Sequence, residues 1–209
     1  MEIIKDIEQG SPEWFALRYG WITASMFKAV ISKGKGSAPS KTRLSYMYQV
    51  AAETVSELRQ ETFTSEYMEW GTETEPQARA MYEFVSGNQV DEVAFIRLGD
   101  DHKIGCSPDG IVGDDGMIEI KCPKTTTQVE TFLANKMPTV HKAQVQGQLW
   151  VANRQWCDFV SFDPRINGEA SFFCQRIERD DEYINELEAK CFEFEADLID
   201  VVNTLRGAL

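Results

Sequence analysis

The residues best suited to chemistry in this sequence lie close together, within residues 107–121. Glycines and aspartates at 113–116 predict a tight turn between two short strands, because these residue types tolerate positive φ. Side chains alternate along a strand, so Glu119 and Lys121 share one face while Ile120 points the other way. Asp109 precedes the facing strand and reaches the same face. The sequence therefore predicts two carboxylates and one ammonium at a single spot.

This grouping suits the metal-assisted hydrolysis of a phosphodiester. Carboxylate oxygens are hard ligands that suit Mg²⁺ or Mn²⁺, and the backbone carbonyl of Ile120 adds another oxygen to those of Asp109 and Glu119. Two metals ~3.5–4 Å apart would activate water and stabilise the leaving oxygen. Lys121 would hold the water or oppose the charge that develops on the phosphate. An ordinary acidic hairpin has the same composition, so this alternative stays open from spacing alone.

A candidate anion site follows the first predicted helix. Ser11 and Pro12 are typical N-cap and first-turn residues, and this helix is expected to end near Arg18. A second helix is predicted from Thr23 or Ser25 to residue 31. A guanidinium fork, two hydroxyls and the free amides of a helix start together form a cradle for an anion. The alternative is that Thr23 only caps its helix and that Arg18 lies on the surface.

Glu75 is a third acidic candidate near the hairpin. Residues 72–86 predict a long helix, and Pro76 fits only in its first turn, which places Glu75 near the helix N-terminus. The helix dipole favours a carboxylate there, so Glu75 also has a purely structural explanation. Met68 falls in the predicted loop before this helix, and a lone methionine is usually a core residue.

The remaining segments alternate between helical and extended patterns. The predicted helices lie at 42–58, 125–135, 141–152 and 180–205, and the predicted strands at 89–98, 103–106, 156–162 and 170–177. This order predicts an α/β fold with a mixed central β-sheet flanked by α-helices. The 209 residues show no internal repeat and no shift in composition, so a single domain over residues 1–209 is expected.

The composition is that of a soluble globular protein, with 43% hydrophobic and 26% charged residues. No apolar run approaches the ~20 residues of a membrane span, and the first residues do not resemble a signal peptide. The five cysteines are widely spaced and form no CxxC pair, which predicts reduced thiols. We therefore expect a cytoplasmic protein with no membrane partner.

The net charge of −13 is unusual for a protein that binds nucleic acid. Residues 178–200 contain ten acidic and two basic residues, so much of the negative charge lies on one predicted helix. A nucleic acid must approach elsewhere. His141 is expected at the surface or facing a phosphate. The candidate basic groups are Lys33, Lys35, Lys41 and Arg43, and then Lys136, His141 and Lys142.

Several motifs resemble, in the same order, those of one nuclease family. Pro108-Asp109 followed by Glu119-Ile120-Lys121 resembles the PD-(D/E)XK nuclease signature. Seven motifs, spread from about residue 9 to about residue 146 with further similarity to about residue 180, resemble the phage lambda exonuclease (YqaJ-like) family. They are QGSPEW at 9–14, RYG at 18–20, ITAS at 22–25, WGTETE at 70–75, CSPDG at 106–110, EIKCP at 119–123 and AQVQ at 143–146.

The resemblance implies a restriction-endonuclease-like PD-(D/E)XK core and an enzyme that needs Mg²⁺ and tolerates Mn²⁺. It would degrade one strand of linear double-stranded DNA from 5′ to 3′ and leave a 3′ single-stranded overhang for recombination by single-strand annealing. A toroidal homotrimer and a single-strand annealing protein as partner are implied as well.

The resemblance also assigns roles to individual residues. Met68 would be an apolar wedge that parts the terminal base pairs. Independently of the resemblance, Gln148 is expected to be only a polar surface residue. The implied catalytic residues are Glu75, Asp109, Glu119, Lys121 and Gln144, with Asp109, Glu119 and Ile120 as metal ligands. The implied 5′-phosphate site consists of Arg18, Thr23, Ser25 and Ser107.

Two other function classes stay open at this stage. A structure-specific or restriction-type endonuclease can share the same core, and a requirement for free DNA ends separates the two. A non-catalytic DNA-binding module is the other alternative, and the presence of Asp109, Glu119 and Lys121 argues against it. One departure concerns residues 125–127, which are threonines where relatives can have a basic residue.

Overall fold

The computed structural model describes residues 1–34, 40–58 and 66–208, and within these ranges it leaves out the side chains of Tyr67 and Met68. The α-helices are α1 (Pro12–Leu17), α2 (Phe27–Val30), α3 (Lys41–Ser56), α4 (Glu66–Ser86), α5 (Thr125–Ala134), α6 (Lys142–Val151) and α7 (Asp181–Gly207). The strands are β1 (Glu2–Ile4), β2 (Ile22–Thr23), β3 (Phe95–Arg97), β4 (Ile104–Cys106), β5 (Gly110–Val112), β6 (Gly116–Lys121), β7 (Trp156–Phe162) and β8 (Phe172–Glu178).

The strands form two mixed four-stranded sheets, in the orders β1-β3-β4-β2 and β5-β6-β7-β8. The sequence predicted an α/β fold with one central sheet; the α/β class is confirmed, and the strands are divided between two sheets. An isolated bridge pairs Asp91 with Ile111 and links the segment before β3 to the second sheet. Strands β6 and β7 run parallel, which requires the long crossover through α5 and α6. That crossover brings α6 against Glu119 of β6.

The predicted hairpin is confirmed as β5 and β6. Gly110 pairs with Ile118 and Val112 with Gly116, and the turn uses Gly113 at φ +53°. Gly116 allows a close approach, because a Cβ there would lie 2.1 Å from the indole of Trp156. Continuing this register places Asp109 opposite Glu119. The hairpin therefore brings the two predicted carboxylates to the same end of the sheet.

Strand β6 is buried on both faces, which is typical of a strand covered by helices. Met117 contributes to the larger core, with residues of α6 and α7. Ile118 and Ile120 contribute to a smaller core with Ala78 and Tyr82 of α4. Glu119 interrupts this apolar strand with a charged group, and an ionised side chain in such a place must be compensated by partners.

Helix α4 differs from its prediction at its start. It begins at Glu66 instead of residue 72, so Met68 lies within the helix and Pro76 lies in its interior. A proline inside a helix costs ~3 kcal/mol or more. The helix continues through it because Thr74, Ala78 and Tyr82 are buried, and α4 packs on β6 and β7. Tertiary packing here outweighs the local preference.

The second predicted helix is also shorter and more irregular than expected. A 3₁₀ turn over Ala24–Met26 leads into the single α-helical turn Phe27–Val30. The basic loop that follows falls partly outside the described residues, since Lys35 and its neighbours up to residue 39 are not described. Within the described ranges, none of the helices combines the length and apolar character needed to cross a bilayer.

All five cysteines lie in the described part of the chain and are free thiols. Cys106, Cys157 and Cys191 are buried in the larger core, where burial raises the pKa of each thiol. These residues therefore act as small apolar core residues.

Candidate active site

Glu119 is the centre of a buried polar cluster. Its side chain is 1% exposed and accepts hydrogen bonds on both oxygens. Oε1 accepts from Lys121 Nζ and from Gln144 Nε2, the latter at 2.6 Å. Oε2 accepts from Gln148 Nε2 at 2.7 Å. One cation and two amides therefore compensate the charge of this carboxylate inside the fold.

Asp109 lies beside Glu119 at the start of β5. Its Oδ2 accepts the backbone N–H of Ile120 at 2.5 Å, which couples the hairpin strands through a side chain. Burial raises the pKa of Asp109 well above its ordinary value, and the nearby charges of Glu119 and Glu75 act in the same direction. Lys121 and the Ile120 amide oppose this shift without cancelling it. A site that raises a carboxyl pKa in this way is short of positive charge.

Glu75 joins the cluster from the middle of α4. It accepts a hydrogen bond from Arg79 at 2.7 Å, and Arg79 also pairs with Glu92 at 3.0 Å. Burial raises the pKa of Glu75, and the charges of Arg79 and Lys121 lower it. The predicted position near a helix N-terminus is wrong, because ten residues of α4 precede Pro76. The helix dipole therefore does not explain this carboxylate.

Lys121 is held in its charged form by the surrounding carboxylates. Burial lowers the pKa of its ammonium, but Glu119, Asp109 and Glu75 together raise it above the ordinary value. Such a group can donate hydrogen bonds and oppose negative charge, and it cannot act as a general base near neutral pH.

Helix α6 supplies the amides of the cluster. Gln144 contacts Glu119, as its predicted place in the active site requires. Gln148 was expected at the surface, and this expectation is wrong: it is 1% exposed and also contacts Glu119. The signal was present in the sequence, because residues four apart lie on the same face of a helix. Gln146 faces away and bonds to the backbone of Glu178 and Asp180.

His141 lies near this cluster and is only partly exposed, and its expected position facing a phosphate stays a prediction. Its ring is half-buried, 5.3 Å from the ring of Phe159. Burial lowers the pKa of His141 to about 4, and the charge of Lys121 acts in the same direction. His141 is therefore neutral at physiological pH, which removes it from the predicted basic group.

The donor set of the cluster fits a hard divalent cation. Among the described residues, no group of three or more His, Cys, Asp or Glu side chains is already arranged as a metal site. The charges of Glu119 and Glu75 nevertheless raise the pKa of Asp109, and all three carboxylates raise the pKa of the Lys121 ammonium, which shows that they share one electrostatic environment. Carboxylate oxygens of this kind suit Mg²⁺ or Mn²⁺. The backbone N–H of Ile120 donates to Asp109. The role of the Ile120 carbonyl as a metal ligand stays a prediction.

The predicted anion cradle also comes together. Arg18, Thr23 and Ser25 line one cavity of about 170 Å³. The guanidinium of Arg18 stacks 3.8 Å above the ring of Trp14, and Thr23 Oγ1 lies 3.3 Å from Ser25 Oγ. Thr23 makes no side-chain cap hydrogen bond to the turn that follows it, so the capping explanation does not apply.

The opposite wall of this cavity comes from helix α3. Tyr46 accepts a hydrogen bond from the backbone N–H of Thr23 at 3.0 Å, and burial raises its pKa to about 12. Gln49 and Glu53 also line the cavity and are hydrogen-bonded to each other at 3.1 Å. Sequence reasoning did not identify these three residues, because nothing local to α3 indicates which loop the helix faces.

Two predicted site residues are not placed at either site by their contacts. The hydroxyl of Ser107 donates to the carbonyl of Ala94 at 2.7 Å, and Ser107 is outside the lining of the anion cavity. Met68 lies in α4, and its side chain is outside the described part of the molecule.

The predicted basic groups are partly neutralised by the acidic helix α7 and the residue before it. Arg43 pairs with Asp197 at 2.7 Å, and Lys142 pairs with Asp180 at 2.9 Å. The acidic residues of α7 are thus not all without partners, because Asp197 forms an ion pair. These pairs leave less unpaired positive charge at Arg43 and Lys142 than the sequence suggested.

Comparisons with known proteins agree on one class. Residues 13–155 match the model of the YqaJ-like viral recombinase domain. The crystal structure of an alkaline exonuclease (LHK-Exo) from Laribacter hongkongensis is 39% identical, covers 95% of this chain and 97% of its own, and superposes with a TM-score of 0.87. The structure of LHK-Exo in complex with dAMP gives the same identity and coverage, with a TM-score of 0.88.

A more distant structure supports the fold alone. The phage-related exonuclease from Haemophilus somnus 129PT is 16% identical, with a TM-score of 0.68 over 88% of this chain and 96% of its own. A search of curated protein sequences found no match.

The fold and the carboxylate cluster define a nuclease of the PD-(D/E)XK type. More narrowly, the chain belongs to the YqaJ-like viral recombinase domain family, the lambda exonuclease-like family. It is therefore a DNA exonuclease by family, an enzyme whose class acts in DNA recombination and generally requires a divalent metal.

Proposed function

We propose that the protein is a Mg²⁺-dependent exonuclease that degrades one strand of linear double-stranded DNA from 5′ to 3′. Its product would be a 3′ single-stranded overhang for recombination by single-strand annealing. The observation that carries this proposal is the position of the anion cavity relative to the carboxylate cluster. Thr23 of the cavity pairs with Gly105 of β4, and Asp109 follows four residues later, a span of at most about 14 Å. A terminal phosphate and the bond to be cut fit within one such site.

The proposed metal ligands are Asp109, Glu119 and the carbonyl of Ile120. Mg²⁺, or Mn²⁺ in its place, would supply Lewis-acid stabilisation and a more acidic water when bound. The carboxylates already repel one another across the cluster, as the raised pKa of Asp109 indicates. Glu75 completes the acidic set, and Arg79 fixes its orientation.

The chain's own residues would divide the remaining work. Lys121 stays charged beside Glu119, so it would orient water or oppose the negative charge that develops on the phosphate. Gln144 holds the Oε1 edge of Glu119. His141 is neutral and packed on Phe159, so it would close one side of the site without adding charge.

The polarity of digestion would come from the anion cavity. Arg18 provides the charge, and Thr23 and Ser25 provide hydroxyl donors for a terminal 5′-phosphate. Ser107 belongs to the proposed phosphate site only if its hydroxyl releases the carbonyl of Ala94. Met68 is proposed, from family membership alone, as the wedge that separates the terminal base pair.

The assembly and partner are proposed from family membership. A single domain of residues 1–209 would form a toroidal homotrimer around the DNA, and a single-strand annealing protein would receive the overhang. A ring whose outer surface includes α7 would explain how a chain with net charge −13 follows DNA.

The test is digestion of one duplex in three forms with Mg²⁺: linear with 5′-phosphates, linear with 5′-hydroxyls, and covalently closed. We expect the phosphorylated linear form to disappear fastest and the circle to survive. Arg18→Ala should reduce the difference between the two linear forms, because it removes the cation of the phosphate site. Cutting of the circle would support the endonuclease alternative, and no cutting with either Mg²⁺ or Mn²⁺ would support a DNA-binding module.

A further inference from the structure

Gln148 has an environment that its place on a helix does not explain. It is 1% exposed on α6, and its amide donates to Oε2 of Glu119 at 2.7 Å. The apolar residues Val145, Leu149 and Val151 surround it on the same helix and are equally buried. A polar side chain in such a position needs a specific partner. That partner is the most buried carboxylate of the active site.

The two oxygens of Glu119 are not held alike. Oε1 accepts from both Lys121 and Gln144, so it keeps a donor if either side chain is removed. Oε2 accepts from Gln148, and within the described parts of the chain no second side chain donates to it. Removing Gln148 would therefore leave this buried, charged oxygen without its side-chain donor.

The other end of the Gln148 amide points to the same conclusion. Its Oε1 is buried and has no hydrogen-bond partner in the described part of the protein. Turning the amide over would place this carbonyl against the charged oxygen of Glu119, so the nitrogen is the atom that must face the carboxylate. A hydrocarbon side chain of similar length would fill the space without an unpaired acceptor. The amide is thus retained for its contact with Glu119.

We propose that Gln148 is a positioning residue that orients Glu119 for the divalent cation. It does not touch substrate, and it acts through the carboxylate whose Oε2 it holds. This inference rests on the proposed role of Glu119 as a metal ligand. Hydrogen-bond partners of metal ligands typically change metal affinity by ~10–100-fold when they are removed.

The experiment measures Mn²⁺ binding to the full chain by electron paramagnetic resonance, without DNA. Gln148→Met removes the donor and keeps the length of the side chain, and we expect Mn²⁺ to bind about 10–100-fold more weakly. Gln148→Asn keeps an amide that is one methylene shorter and should give a smaller loss.

Gln146→Met is the matched control. Gln146 lies on the same helix and is 2% exposed, but its amide bonds to the backbone of Glu178 and Asp180. We expect this variant to lower the unfolding midpoint and to leave the Mn²⁺ affinity unchanged. Circular dichroism at the binding temperature checks that each variant is folded. If Gln148→Met is not folded, the Mn²⁺ affinity of Gln148→Asn tests the inference instead.

The outcomes separate this inference from the function on which it rests. If the wild type binds Mn²⁺ and folded Gln148→Met binds it equally well, Gln148 is only a buried core residue. An equal loss in Gln146→Met would attribute the effect to a loosened helix and would also overturn the inference. Failure of the wild type to bind Mn²⁺ would instead overturn the proposed metal site itself.

Discussion

At the scale of single residues, the candidate active site is built around the buried carboxylate of Glu119. Three donors surround this carboxylate, and the nearest of them in sequence, Lys121, stays charged because of it. Removing one member of a buried charge pair leaves the other uncompensated, which is costly. The anion cavity also contains charges of both signs, because Arg18 and Glu53 both line it.

Glu53 offers a test of the phosphate site. Glu53→Gln removes a negative charge from the cavity and keeps a group that can hydrogen-bond to Gln49. We expect the preference for 5′-phosphate over 5′-hydroxyl ends to rise by about 1 kcal/mol, which is about fivefold. The measurement is the ratio of digestion rates for the two linear duplexes. An unchanged or lower ratio would place the terminal phosphate outside this cavity.

His141 gives a prediction for the pH dependence of stability. Burial lowers its pKa from the ordinary 6.5 to about 4, so between these values the unfolded chain binds a proton that the folded chain does not. Its contribution is fully present above about pH 6.5 and is lost as the pH falls toward 4. Wild type should therefore lose more stability than His141→Gln between about pH 7 and about pH 4.5.

Urea unfolding of both proteins at these two pH values checks the prediction. The carboxylates titrate in both proteins and largely cancel in the comparison. Equal losses of unfolding free energy would show that His141 is not held neutral by the fold.

At the scale of elements, helix α4 is the clearest case of packing that overrides local signals. It runs through Pro76 because its inner face is buried against β6 and β7. Tyr82 anchors that face: its hydroxyl donates to Asp158 Oδ2 at 2.7 Å and accepts from Asn88 at 3.0 Å. This anchor holds the helix that presents Glu75 to the site.

Tyr82→Phe tests the anchor. The substitution removes the hydroxyl, while Asp158 keeps its two hydrogen bonds from Arg176, both at 2.9 Å. We expect the free energy of unfolding to fall by about 1–2 kcal/mol, with nuclease activity per folded molecule retained. Tyr48→Phe is the control, because Tyr48 is 59% exposed and should change nothing. Equal unfolding midpoints for the two variants would contradict the anchoring role.

The parts of the fold that the sequence predicted are those set by local pattern. The hairpin of β5 and β6 follows from a turn rich in glycine and aspartate, and the side chains of each strand point alternately to the two faces. The start of α4 did not follow, because Pro76 is a local signal for a first turn, and the packing of α4 on β6 and β7 joins segments distant in sequence. Gln148 was missed for a related reason: only its four-residue spacing from Gln144 signals the shared partner, and that signal is weak until the partner strand is known.

At the scale of the whole molecule, part of the negative charge is paired with basic residues of other elements. Helix α7 packs on α3 and α6 with its buried face. Together with the residue that precedes it, α7 pairs Asp197 and Asp180 with Arg43 and Lys142. These pairs could not be predicted from composition, since they join segments more than thirty residues apart. The anion cavity and the carboxylate cluster are linked through β4, which pairs with Thr23 of the cavity and leads toward Asp109.

The most direct measurement of the central claim uses a linear duplex with one strand labelled at either its 5′ or its 3′ end, digested with Mg²⁺ by wild type and by Lys121→Ala. We predict that the 5′ label is released first, as a mononucleotide, while the 3′ label stays on a shortening strand. Lys121→Ala should be at least ~100-fold slower while its unfolding midpoint shows that it is folded. Release of the 3′ label first, or full activity in Lys121→Ala, would contradict the assignment of this site.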